Sequence, residues 1–182
     1  RKSKALWGCV LAAALLLAAC GKPNAGSSGS GSMSGSGAAS QTTAAWKTGL
    51  GVVVETEDED RTGSIRLAAA AVLLDGDGKI ADVELDELET TIGADGTGAV
   101  HLPTDYRTKR QKGADYPLAE ASSLKKGWAE QADAFADHLT GMTPEQVSLL
   151  KLDNDGKPTD ADLLAGCTIA VDRYRDAVVK AC

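Results

Sequence analysis

Basic residues are in short supply in this 182-residue chain: 19 Lys and Arg face 26 Asp and Glu, for a net charge of −7. Three of the bases, Arg1, Lys2 and Lys4, crowd into the first four positions, so the remainder is more acidic still. Such a surface does not grip a polyanion by neutralising phosphates, and nucleic acid is not among the expected partners. Histidine is scarcer. His101 and His138 stand far apart without a Cys-x-x-Cys or His-Glu-x-x-His frame, which removes the usual zinc sites. Gly-x-Ser-x-Gly and glycine-rich phosphate loops are missing too, and with them a serine-hydrolase elbow and a Walker-type nucleotide site. Four cysteines, one of them inside an apparent export signal, are too few for a disulfide framework. Two aspartate-rich turns suggest calcium, but an EF-hand loop with Gly156 or Gly78 at its sixth position would begin at Lys151 or Leu73, neither of which ligates.

What is present begins with an address. Basic Arg1, Lys2 and Lys4 precede the apolar run Ala5 to Ala19, which is short for a bilayer span and ends in Leu17-Ala18-Ala19-Cys20. These are the parts of a secretory signal over residues 1–19. The last four residues resemble the lipobox of bacterial lipoproteins, which implies that Cys20 is the lipidation site and the new N-terminus; an ordinary secreted chain is the alternative. Residues 20–45 then read as a linker, because residues 26–40 contain 12 Gly or Ser out of 15. A chain of that composition is a flexible coil with a reach of roughly 25 to 30 Å over about 25 residues. The expectation is a lipid-anchored domain on the extracellular face of the cell membrane.

Residues 46–182 suffice for one core. Val52 to Val54 predicts a strand, followed by a solvated loop over Glu55 to Asp60. Ile65 to Leu74 is apolar on both faces, and Asp75-Gly76-Asp77-Gly78-Lys79 signals a turn. Val83 and Leu85 alternate with Asp82, Glu84 and Asp86; the alternation slips at Asp86-Glu87 and resumes at Leu88, Thr90 and Ile92, which predicts a bulge or bend there. Gly93 to Gly98 makes the next turn. Leu124, Trp128, Ala132, Phe135 and Leu139 fall on one face of a helix from about Ser123 to Leu139, with Trp128 anchoring the core. Thr143-Pro144-Glu145-Gln146 is a capping box for a second helix to about Leu150. After a turn at Asp153 to Lys157, Gly166 to Val171 reads as a short strand, and Asp172 caps a final helix burying Tyr174, Val178 and Ala181. Strands first and helices later give a single α+β domain with a mostly antiparallel sheet and C-terminal helices. Cys167 and Cys182 could pair outside the cytoplasm, or remain a buried and a terminal thiol.

Asp162-Leu163-Leu164-Ala165-Gly166-Cys167-Thr168-Ile169-Ala170 resembles the Asp-x-x-Ser-Gly-Ala-Thr-x-Thr signature of FMN-binding domains. Those domains occur in flavin subunits of sodium-pumping and Rnf-type redox complexes and in Gram-positive pheromone-type lipoproteins. Asp162, Gly166 and Thr168 match, whereas Ala170 stands where a hydroxyl would take FMN as a phosphoester. Covalent attachment is excluded at that position. Lys47-Thr48-Gly49-Leu50-Gly51-Val52-Val53, Thr108-Lys109, Gly127-Trp128-Ala129-Glu130-Gln131 and Pro158-Thr159-Asp160-Ala161-Asp162-Leu163 extend a likeness to Clostridia-type surface lipoproteins related to these domains. The resemblance implies an FMN-binding-like fold, noncovalent FMN near Gly166 and Thr168 with Asp162, Thr108 and Lys109 beside it, extracellular electron transfer, and a membrane redox partner. A binding module of the same fold without flavin is the alternative, and no catalytic constellation is visible in either case.

Overall fold

The computed structural model describes residues 45–182. The signal, Cys20 and the linker up to Ala44 lie outside the described residues.

The four strands form one antiparallel sheet in chain order: β1 (Lys47–Glu59), β2 (Thr62–Leu74), β3 (Ile80–Ala94) and β4 (Val100–His101). The acidic segment expected as a loop is strand. Glu55 to Glu59 continue β1 in register with Thr62 to Arg66, and only Asp60 and Arg61 make the turn, with Arg61 at a φ of 61°. Local charge therefore yields to cross-strand pairing, in which Arg66 lies 2.8 Å from Glu57.

No bulge occurs at Asp86-Glu87, because β3 stays in register there and the shift falls at the other end, between Leu73 and Leu74. Glu87 simply occupies an inward position after Val83 and Leu85. The slip in the hydrophobic pattern is a carboxylate buried in the core, not a change of backbone.

Helices follow the sheet: α1 (Lys109–Lys112), α2 (Leu118–Ala121), α3 (Trp128–Leu139), α4 (Pro144–Ser148), α5 (Ala161–Leu164) and α6 (Asp172–Ala181). Inward Ala68, Ala70, Val72, Val83 and Leu85 meet Trp128, Phe135 and Leu139 of α3 and Tyr174, Ala177 and Val178 of α6. The result is an α+β domain with its long helices on one face of the sheet. α6 lies directly on β1. A Cβ at Gly49 would come within 1.7 Å of the Ala181 carbonyl oxygen, and one at Gly51 within 1.9 Å of that of Ala177.

Three further boundaries differ from expectation. α3 starts at Trp128 because Lys125 turns the chain with a φ of 56°, and the Glu130 carboxylate accepts the Gly127 N–H at 2.8 Å. Gly166 to Val171 is not a strand; its amides go to scattered partners, Cys167 donating to Leu163 O at 2.8 Å, Thr168 to the Gln131 side chain at 2.9 Å and Val171 to Gly156 O at 2.8 Å. Val171, not Asp172, occupies the cap of α6, and no side chain caps it. The capping box at Thr143 and Gln146 forms in both directions, although α4 ends at Ser148.

Candidate functional site

β3 brings Glu87 inward to the point where α1, α3 and α6 converge. Only 1% of it is exposed. A buried carboxylate needs cations and donors around it. Lys109 of α1 reaches its Oε1 at 2.9 Å and Glu89 at 3.1 Å; Arg173 of α6 lies 3.7 Å from its Oε2 and 3.2 Å from Glu55. The Tyr174 hydroxyl donates to Glu87 Oε2, and the Trp128 indole N–H donates to the Tyr174 oxygen at 3.1 Å. Trp128 and Tyr174 meet edge to face with centroids 5.8 Å apart.

Protonation follows from these contacts. Burial alone would lower the Lys109 pKa, but the Glu87 carboxylate outweighs it and holds the ammonium above its ordinary value. Burial likewise pushes Glu89 up, and Lys109 with Arg66 more than reverses that, leaving it below the usual carboxylate range. Tyr174 is raised by burial and then by the Glu87 charge, so it remains a donor at any physiological pH.

Above this cluster opens a cavity of about 560 Å³, whose lining includes Lys109, Trp128, Lys157, Thr168, Arg173 and Tyr174. Its lining holds three cations and no carboxylate. The acids stand behind the cations, not in the cavity wall. One wall is set by Gln131, fully buried in α3, whose Oε1 accepts both the N–H and the hydroxyl of Thr168 at 2.9 and 3.1 Å. Its Nε2 donates to Ser122 and to the Lys126 carbonyl, each at 3.0 Å.

No protein-family model, curated protein or solved structure matches the chain. The site is therefore defined by its geometry alone.

Of the residues singled out from sequence, Lys109 and Thr168 reach the cavity. Gly166, Asp162 and Thr108 do not line it. A Cβ at Gly166 would fall 2.8 Å from that of Ala134, so the glycine serves the approach of this segment to α3 rather than that of an anion. Asp162 is exposed in α5, and Thr108 caps α1 by accepting the Gln111 N–H. Lys109 differs from expectation in being buried and paired, and the Thr168 hydroxyl is already committed to Gln131. Cys167 and Cys182 are both free, the first sealed in the core and the second exposed after α6, so the pair considered from sequence is not formed. Burial pushes the Cys167 thiol up to about 11, which keeps it protonated and inert.

Glu87, Gln131, Lys157 and Arg173 were not expected at a site. Glu87 had a visible signal in the broken alternation of β3. Arg173 and Lys157 had none, since each is a charge beside a turn or cap until the fold brings it to the cavity.

Proposed function

We propose that this domain is a membrane-tethered receptor for a small organic anion bearing a flat ring, with FMN as its ligand. The observation that supports it is the cavity: three cations and no carboxylate line it in a protein that is acidic overall. Its volume falls in the range of roughly 300 to 1,000 Å³ typical of small-molecule sites. Lys109 and Arg173 are held in place by Glu87, Glu89 and Glu55, so they need little reordering to meet an anion. Lys157, half exposed and 3.7 Å from the Asp155 carboxylate, adds the third cation. Trp128, Tyr174 and the half-buried Tyr116 supply its aromatic lining.

Bound FMN would supply one- and two-electron redox chemistry, suiting a domain held by Cys20 near a membrane redox partner. A flavin-free module for another small anion is the second reading. What favours it is that the Thr168 hydroxyl is spent on Gln131 and that the nearest cations already carry counter-charges.

Titration of the purified protein into FMN, read by flavin fluorescence, separates the two. The first reading expects saturable quenching below about 100 μM, weaker binding as salt rises, and loss of several-fold in affinity for Lys157→Gln. Riboflavin, which lacks the phosphate, should bind less tightly. Absence of quenching at that concentration moves the cavity to the flavin-free reading, and equal binding of riboflavin removes the anion from the argument.

A further inference from the structure

Among the described residues, β1 is the sheet's outermost strand and pairs on one side only, with β2. Because the two-residue turn closes on the pair Glu59 and Thr62, odd-numbered residues of β1 exchange hydrogen bonds with β2. Even-numbered Thr48, Leu50, Val52, Val54 and Thr56 therefore aim their N–H and C=O groups at the free edge. In agreement with this, the Val52 carbonyl accepts from the Lys180 ammonium at 3.3 Å. The same even-numbered side chains lie on the sheet face opposite the helices, where Leu50, Val52 and Val54 are 72%, 40% and 56% exposed. Leu67 and Leu88 continue that apolar stripe across β2 and β3.

A strand of 13 residues with no proline and an apolar open face is the kind of edge that recruits another strand. Its charges say which. Lys47 stands at one end, and Glu55, Glu57, Asp58 and Glu59 at the other. A parallel copy would stack acid on acid. An antiparallel copy about a two-fold axis, with Val52 opposite Val52, sets Leu50 against Val54 and Thr48 against Thr56 on the open face, and Lys47 against Glu57 on the other. The even-numbered hydrogen-bonding groups then meet their own kind, as an isologous interface requires.

We propose that β1 is the dimerisation edge of this protein, joining two sheets into one continuous eight-stranded sheet through antiparallel pairing of β1 with β1 of a second copy. Lys180 is the gate: it must leave the Val52 carbonyl for the strands to close.

Sedimentation equilibrium of the full chain at rising concentration tests this. The expected mass climbs with concentration toward twice the 18.7 kDa of the chain. Val52→Pro removes an edge N–H that β2 does not use, so it should weaken association by about tenfold or more while leaving the circular dichroism and thermal midpoint close to wild type. Lys47→Glu should weaken it as well, and Lys47→Glu with Glu57→Lys should restore it. A monomer throughout the range overturns the proposal and leaves the edge to an extended segment of another protein or of this chain. So does association that Val52→Pro leaves intact, as self-association through the apolar run before Cys20 would.

Discussion

Glu87 shows how a single residue organises the cavity floor. It is buried beneath Lys109, Arg173 and Tyr174, and removing one partner of such a cluster leaves an uncompensated charge in the interior. Lys109→Met is expected to cost about 3–5 kcal/mol in stability, read from the urea midpoint. Lys109→Met combined with Glu87→Gln should recover part of that loss, since the neutral amide still accepts from Tyr174 and no longer needs a cation. Strict additivity of the two changes would show that the pair is not coupled. The sequence carried half of this arrangement. The interruption at Glu87 is visible as a break in alternation, but a break reads equally as a bulge, and only the register with Ala68 of β2 tells one from the other. That Lys109 is the partner depends on a separation of 22 residues closed by the fold, which no local pattern encodes.

At the scale of elements, the aspartate turns and the Thr143 capping box were the most legible parts because their chemistry is local. Asp75, Asp95 and Asp153 each begin the same device: the carboxylate accepts the N–H groups two and four residues on, at 2.8 to 3.0 Å. The glycine three residues on takes a positive φ of 77°, 86° and 75° respectively. Aspartate in these turns serves the backbone. The strand content of Glu55 to Glu59 was not legible, since the reward lies in β2 and not in the segment itself. Nor was the irregular path of Gly166 to Val171, where a side chain, Gln131, satisfies an amide that a strand would have used. The contact of α6 with β1 yields a sharper test. Gly51→Ala places a methyl group within 1.9 Å of a main-chain oxygen, so helix and strand must separate. A loss of about 1–3 kcal/mol or more is expected from overpacking, measured as a fall in thermal midpoint. Gly63→Ala, in β2 with no neighbour near its added Cβ, is the control and should change little.

At the scale of the whole molecule, the acidic domain and the Cys20 anchor form one proposed design: a receptor tethered to a membrane. Its test is labelling with a palmitate analogue. The wild-type chain should incorporate the label and partition with membranes, whereas Cys20→Ser should do neither. Labelling that persists in Cys20→Ser would relocate the anchor.

The seat of α6 across β1 and β2 also dictates when the domain can fold. β1 to β3 are joined by short turns and can associate early, but Gly51, Ala68 and Ala70 stay open to water until the last ten-residue helix arrives from more than 100 residues downstream. Such long-range closure is slow relative to hairpin formation. A chain emerging N-terminus first therefore has no finished core to lock it until α6 has been made. The helix that seals the core is thus also the element whose arrival decides when β1 and β2 lose their contact with water.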